Sequence, residues 1–183
     1  MKKNKTDYDA VLARAAGALR LVDETKPYGQ ELFEELNRLD PHIAIEVPCI
    51  RKHPKNGRLQ VWLRLRGAKE AYSNQYEVGG SAIQNGEDIA AVIKRLGEKK
   101  FKAKVSNYSV LFPASFFNAE NRGWYWHVVV AGFFEQDPPD RSEEGTGWFY
   151  IDELPKNSVA HHFRIINAAV NYFNTQTTKE EIV

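Results

Sequence analysis

Hydrophobic residues near the start of the chain recur at the three- and four-residue spacing of a helix. Thr6 stands where a side chain can cap that helix. The recurring residues within positions 7–22 are Tyr8, Val11, Leu12, Ala15, Leu19 and Val22. Pro27 and Gly29 interrupt the pattern, and a shorter apolar stripe predicts a second helix over residues 30–39. We therefore expect an N-terminal helical extension over residues 1–39.

The hydrophobic period then changes from about 3.6 to 2, which is the period of a strand with one buried face. One alternating segment runs from Ile43 to Cys49 and another from Leu59 to Leu65. Between them lies Pro54-Lys55-Asn56-Gly57, and Asn-Gly tolerates the positive φ angles of a tight turn. This pattern predicts a hairpin that joins the two segments, followed by a polar loop over residues 66–74.

The rest of the chain alternates between strand and helix patterns. The predicted strands cover residues 75–83, ending in a Gly79-Gly80 turn, and then 101–113, 124–135 and 147–151. A helix is predicted over residues 87–100, a loop over 136–146 and a last helix over about 158–174. The buried stripe of the last helix is predicted to contain Val159, Phe163, Ile166, Val170 and Phe173.

This order predicts one α/β domain over residues 40–174, in which helices cover a mixed sheet. The polar segment 175–183 is expected to be a flexible tail. Of the 183 residues, 43% are hydrophobic, which is enough for a substantial core, and the net charge is +1. The near-neutral charge argues against general binding to nucleic acid or to an anionic membrane.

The chain has a single cysteine, Cys49, which excludes an intramolecular disulfide and is expected in the core. No apolar run approaches the about 20 residues of a membrane-spanning helix. The basic start Met1-Lys2-Lys3 leads into a polar helix, so we expect no signal peptide and a cytoplasmic location.

The segment from Tyr76 to Arg95 is the most informative about function. A short strand leads into Gly79-Gly80, a polar turn ends in Gly86-Glu87, and the following helix carries Arg95. This layout resembles the Nudix box, whose pattern is G-x5-E-x7-R-E-U-x-E-E-x-G-U, where U is aliphatic. Ser81 stands at the first glycine of the pattern, while Glu87 and Arg95 match its glutamate and arginine.

A second segment is similar to the late strand of the same family, which ends in W-x-x-x-D-E-L-P. It runs from Trp148 through Asp152-Glu153-Leu154 to Pro155. The resemblance covers about residues 40–174 and implies a Nudix-like α/β/α sandwich with a mixed sheet. It also implies a substrate that contains a nucleoside diphosphate, with Mg²⁺ or Mn²⁺ as the cofactor of an active enzyme.

The chain departs from the family where the pattern requires a cluster of glutamates. In the ungapped alignment the R-E-U-x-E-E block reads Arg95-Leu96-Gly97-Glu98-Lys99-Lys100. Shifting the helix by one residue retains Glu98 as one of the glutamates, but the ungapped alignment keeps both Glu87 and Arg95. Magnesium takes oxygen ligands. A basic group about 4 Å from a cation site repels it by roughly 4 kcal/mol per unit charge at an effective dielectric constant of 20.

The resemblance assigns Glu87 and Glu98 as catalytic residues and metal ligands, and Arg95 as the residue that orients the box. Gly79, Gly80, Arg95 and Lys99 are the expected contacts to a diphosphate. A further acid would have to complete the metal site, and the candidates are Glu120, Glu135, Glu143 and Glu144. Simpler roles also fit, since acids at a helix start and bases at its end are favourable with the helix dipole.

Two histidine motifs are also predicted to have structural roles. His127 lies in an aromatic strand and is expected to be buried and hydrogen-bonded. His161 and His162 are adjacent, so a helix would direct them to different faces.

Three functions follow from these patterns. The residues favour a Nudix-like protein that binds a nucleoside-diphosphate-type ligand through a degenerate metal site, with weak or no classical hydrolysis. The family resemblance favours an active Mg-dependent hydrolase that cleaves a nucleoside diphosphate linked to another moiety. The third is a homodimeric scaffold built on the aromatic strands, whose residues are Phe112, Phe116, Phe117, Trp124, Tyr125 and Trp126. These aromatics could also stack on bases.

Overall fold

The computed structural model describes residues 5–22, 42–118 and 123–180, together with Gly29 and the pairs 31–32 and 35–36. Its helices are α1 (Lys5–Leu19), α2 (Ile89–Leu96) and α3 (His162–Glu180), and a π-helical turn over Gly97–Phe101 continues α2. The strands are β1 (His42–Val47), β2 (Ile50–Lys52), β3 (Leu59–Leu65), β4 (Tyr76–Glu77), β5 (Gly79–Ala82), β6 (Val105–Asn118), β7 (Gly123–Phe134) and β8 (Gly147–Tyr150).

Within the described residues, these strands form two four-stranded sheets. The first has the order β5-β1-β7-β6, in which β1 and β7 are parallel and the other pairs antiparallel. In the second, β3 pairs with β2, β4 and β8. One apolar cluster packs against α2 and the other against α3. The mixed first sheet and the antiparallel second sheet, with their flanking helices, confirm the predicted α/β class.

A hairpin forms at the predicted turn, but its first arm is Ile50–Lys52, and the prediction that Ile43–Cys49 forms this arm is wrong. Only β2 pairs with β3 across the turn, in which Gly57 has a φ of 70°. The preceding β1 belongs to the other sheet. The chain passes from one sheet to the other between Val47 and Ile50. The alternating hydrophobic pattern does not show this change, because the residues on both sides of it are buried.

The prediction of a turn at Gly79-Gly80 is wrong, because both residues lie in β5 and pair with Val47 and Glu46. Close packing accounts for the glycines. A Cβ at Gly79 would lie 2.0 Å from the ring of Phe101, and one at Gly80 would lie 2.0 Å from Glu46 Oε2. The turn before α2 instead lies at Gly86, whose φ is 76°.

Replacing Gly79 with alanine is expected to lower the free energy of unfolding by about 1 to 3 kcal/mol. The reason is that the Phe101 ring is fully buried and cannot move aside freely. Chemical denaturation measures the loss. Gly67→Ala is the matched control, since its nearest non-neighbouring atom would be an ordinary 3.5 Å away. An equally stable Gly79→Ala protein would show that Phe101 does not limit the space at this position.

The two core helices follow the predicted pattern with shifted limits. Asp88 caps α2 by accepting a hydrogen bond from the Ala91 amide, and Val92, Ile93 and Leu96 are buried as predicted. The last helix, α3, begins at His162 rather than near 158 and continues to Glu180. The prediction that Phe163 is buried is wrong, because 37% of it is exposed. Ile166 is buried as predicted, and Ile165 and Ala169 fill the core beside it.

The N-terminal extension contains the predicted first helix. This helix, α1, begins one residue before the predicted cap Thr6 and exposes Val11, Leu12 and Leu19. The second predicted helix, 30–39, lies mostly outside the described residues, although 31–32 and 35–36 are helical. Within the described part of the chain, no helix has the length and apolarity needed to span a membrane.

Candidate functional site

Arg95 joins the strand, the turn and the helix of the box-like segment. Its Nε lies 2.6 Å from Glu87 Oε1, and its Nη2 lies 2.6 Å from Oε2 of the same carboxylate. The guanidinium also donates to the Ser81 hydroxyl at 2.8 Å and to the Ala82 carbonyl at 3.0 Å. Arg95 holds the pKa of Glu87 below its usual value. The structure thus brings Glu87 and Arg95 together as a clamp on the turn.

Lys100 lies where the family pattern has its last catalytic-cluster glutamate. Its ammonium nitrogen lies 2.6 Å from the Gly80 carbonyl oxygen and 3.2 Å from Glu77 Oε1. An oxygen-lined position beside the box is therefore held by a protein cation. Lys100 keeps 28% of its side-chain surface exposed, so a ligand can reach it.

Arg64 at the end of β3 and Arg66 just after the strand complete this group around Glu77. Arg64 donates to Glu77 Oε1 from Nε at 2.8 Å and from Nη2 at 2.6 Å, and Arg66 donates to Glu77 Oε2. Arg64 also forms two hydrogen bonds with Glu70. We call Arg64, Arg66, Glu70, Glu77 and Lys100 the cation cluster. It has three positive and two negative groups, and so a net charge of +1.

The carboxylates of the cluster stay ionised because of these neighbours. Burial alone would raise the pKa of Glu77, but the charges of Lys100, Arg66 and Arg64 outweigh it and hold the pKa below its usual value. The hydrogen bonds from Arg64 lower the pKa of Glu70 to about 2. Both carboxylates are therefore negative at neutral pH.

A second buried polar group lies behind β5. His127 is hydrogen-bonded to Glu46 at 3.2 Å, and both are buried, which confirms the role predicted for His127. The prediction that a helix separates His161 from His162 is wrong, because α3 begins at His162 and the rings lie 4.6 Å apart. Burial lowers the pKa of His161 to about 4 and that of His162 to about 3, so both are neutral at pH 7.

The other predicted site residues lie at varied distances from this cluster. Gly79 and Gly80 lie in β5, and Gly80 contributes its carbonyl oxygen to Lys100. Lys99 is exposed and adds to the positive field at Glu87. Glu98 lines a separate groove with Lys94 and Lys102, on another side of the helix end. Aromatic side chains over 112–125 lie outside the described residues, whereas Trp126 is 49% exposed.

Sequence reasoning missed most of the cation cluster. Arg64, Arg66 and Glu70 were not predicted as site residues, and Glu77 was treated only as part of the lead-in strand. A signal was present, since Arg64 and Arg66 alternate with Leu63 and Leu65 at the end of β3, which places both arginines on one face.

These residues do not fit a magnesium ion. The oxygens of Gly80 and Glu77 are occupied by the Lys100 ammonium, and Arg95 holds both oxygens of Glu87. Across the residues the structure describes, no group of three or more His, Cys, Asp or Glu side chains is arranged to hold a metal ion.

Comparison with known proteins gives a fold. No family model matches the chain, and no curated protein matches it. Among solved structures, a MutT NUDIX hydrolase from Burkholderia pseudomallei has a TM-score of 0.57 at 16% identity, covering 70% of this chain and 98% of that one. A MutT/nudix family protein from Enterococcus faecalis has a TM-score of 0.60 at 16% identity, covering 94% and 75%.

A third similar structure is a NUDIX domain of NrtR from Shewanella oneidensis, crystallised with ADP ribose. Its TM-score is 0.56 at 13% identity, and the match covers 93% of this chain and 99% of that domain. Sequence identities this low support a shared fold and not a shared activity. Together with the strand–turn–helix unit clamped by Arg95, they show that this chain has the fold of the Nudix hydrolases.

Proposed function

We propose that this chain is a Nudix-fold protein that binds a nucleoside-diphosphate-type ligand through protein cations, with weak or no classical metal-dependent hydrolysis. The observation that carries the proposal is the position of Lys100. Its ammonium contacts the Gly80 carbonyl and the Glu77 carboxylate beside the box helix. A metal ion at these oxygens would have to displace a bound cation.

The cation cluster suits a diphosphate. Its positive charges belong to Lys100, Arg64 and Arg66, and the guanidinium groups keep their charge while they bind Glu70 and Glu77. The cluster has a net charge of +1 and is partly exposed, so an anion can gain both Coulomb energy and hydrogen bonds there. The ADP ribose bound by the similar NUDIX domain is a ligand of this chemical class.

The same contacts argue against efficient hydrolysis. Both oxygens of Glu87 bind Arg95, and Glu98 lines a different groove. Of the other candidate acids, Glu144 is paired with Arg141 and Glu135 with Lys104. A Mg²⁺ ion at Glu87 would need the ion pair with Arg95 to break, which is costly because both side chains are only 16% exposed.

Binding in the absence of metal tests this proposal. We expect ADP to bind in EDTA, and Lys100→Met to weaken that binding by about tenfold to a hundredfold through loss of a charged hydrogen-bond donor. Calorimetric titration measures both. Lys104→Met is the matched control, because Lys104 pairs with Glu135 and 75% of its side chain is exposed.

Turnover assays with Mg²⁺ or Mn²⁺ distinguish the active hydrolase. Metal-dependent cleavage of a nucleoside diphosphate derivative, abolished by Glu87→Gln and by Glu98→Gln, would overturn the proposal. Metal-independent binding that Lys100→Met weakens and Lys104→Met does not would support it.

A further inference from the structure

A cavity of about 580 Å³ lies between the second sheet and the loop that follows β7. We call it the loop pocket; its lining includes Arg51, Trp62, Tyr76, Asp140, Ser142 and Trp148. Building on the proposed function, we propose that the loop pocket binds the base of the same ligand, and that it selects a base with an exocyclic amino group, such as adenine. Its volume lies in the range of about 300 to 1,000 Å³ that is typical of small-molecule sites.

The loop pocket adjoins the cation cluster. Trp62 and Arg64 are two residues apart in β3, so their side chains share one face and lie about 7 Å apart along the strand. Trp148 pairs directly with Trp62 and lies on that same face. The loop above is tied to the end of the box helix, because Arg141 donates to the Lys100 carbonyl at 3.2 Å. One ligand can therefore span both.

The pocket offers an aromatic wall for a planar ring. Trp148 lines it and packs edge-on against Phe134, with the ring centroids 5.8 Å apart. The Nε1 atom of Trp148 is itself buried, so a base contacts the ring surface here. The guanidinium of Arg51 lies 4.1 Å from the centre of the Trp148 ring, which adds a second planar group to the wall.

The charges of the two regions differ in sign. Arg51 and Asp137 form an ion pair in the wall of the loop pocket. Asp140 is an exposed carboxylate of the same wall, and it also accepts a hydrogen bond from the Ser142 amide at 2.9 Å. This acidic end repels phosphate and attracts an amino group, whereas the cation cluster attracts phosphate. The contrast orients the ligand, with its diphosphate on Lys100 and its base beneath the loop.

A planar base with an amino donor satisfies this pocket. Adenine can lie against the aromatic wall, and its amino group can donate to Asp140. Uracil lacks an amino group and presents carbonyl oxygens instead, which the carboxylate disfavours. The expected preference is for ADP over UDP.

Calorimetric titration in EDTA with ADP, UDP, adenosine and pyrophosphate tests the inference. We expect ADP to bind about tenfold or more tightly than UDP, because adenine can donate its amino group to Asp140. Trp148→Phe should weaken ADP binding by about threefold to tenfold without changing pyrophosphate binding, because the smaller ring contacts less of the base. Asp140→Asn keeps an acceptor for Ser142 and should remove most of the preference for ADP. Glu143→Gln is the control, because Glu143 is in the same loop but does not line the pocket.

Binding of adenosine and binding of pyrophosphate test the two proposals independently. Adenosine binding that Trp148→Phe weakens, without any pyrophosphate binding, would overturn the diphosphate site and support the loop pocket. Pyrophosphate binding with equal affinities for ADP and UDP, unchanged in a folded Asp140→Asn protein, would overturn the loop pocket alone. The Asp140 variant keeps this test decisive even where Trp148→Phe is unstable.

Discussion

Replacing Glu77 with glutamine is expected to lower the free energy of unfolding by about 3 to 5 kcal/mol. Glu77 is 2% exposed and is the carboxylate that Arg64, Arg66 and Lys100 all share. Its loss leaves three cations close together with Glu70 as the remaining anion of the cluster. Like charges then repel at low effective dielectric. One carboxylate oxygen is replaced by an NH2 group that donates, so the partly buried guanidinium groups also lose a hydrogen-bond acceptor.

The same substitution should act on ligand binding in the opposite direction. Removing one negative charge raises the net charge of the cation cluster from +1 to +2, so pyrophosphate should bind more tightly in EDTA. Urea denaturation measures the first effect and calorimetric titration the second. A purely structural role for Glu77 would lower stability without this gain in anion affinity.

Glu70→Gln is the matched control. It removes the same charge from the same cluster, but the Glu70 side chain is 38% exposed, so water compensates for much of its loss and about 1 kcal/mol is expected. Equal destabilisation by Glu70→Gln and Glu77→Gln would contradict the view that burial makes Glu77 the centre of the cluster.

The part of the site that could be predicted is local in the sequence. Glu87 and Arg95 are eight residues apart in the segment that the family resemblance identified, and the short helix between them keeps them close enough to pair. The alternating patterns of β1 and β3 and the inward stripe of α2 were predicted for the same reason. In each case, a regular backbone period converts sequence spacing into spatial position.

The part that could not be predicted depends on which strands become neighbours. Tyr76–Glu77 pairs with β3 and Gly79–Ala82 pairs with β1, so the chain changes sheets at Val78. That change places Glu77 opposite Arg64, its partner in the ladder, although they are thirteen residues apart. A single strand pattern over 75–83 contains no sign of it, because Val78 is fully buried at the junction.

The histidine group illustrates the same limit at longer range. His127 and Glu46 come together because β1 and β7 are parallel neighbours, a pairing that the hydrophobic pattern does not specify. His162 reaches the group because α3 begins there, four residues later than its apolar stripe suggested. Its Nδ1 accepts a hydrogen bond from the Val78 amide at 3.0 Å, at the point where the chain changes sheets.

Acidification from pH 7 to pH 5 is expected to destabilise the protein through His161 and His162. Their pKa values are about 4 and about 3 in the folded protein, below the usual 6.5. The unfolded chain therefore takes up protons first as the pH falls below 6.5, and each histidine contributes a loss of about 2 kcal/mol by pH 5. Stability is complete above pH 6.5 and is lost as the pH falls toward the folded values.

The pH range of this loss of stability distinguishes the effect of the histidines from that of the buried carboxylates. Glu46 and Glu77 have pKa values held below the usual 4.5, so their contribution is lost only at lower pH. His162→Asn places an amide oxygen where Nδ1 accepts from Val78 and does not titrate. Urea denaturation at pH 7.5, 6.5, 5.5 and 5 should therefore show a shallower loss for His162→Asn, and His162→Ala should be less stable at every pH because the Val78 amide loses its acceptor. An unchanged pH profile in His162→Asn would show that His162 is not the group that takes up the proton on unfolding.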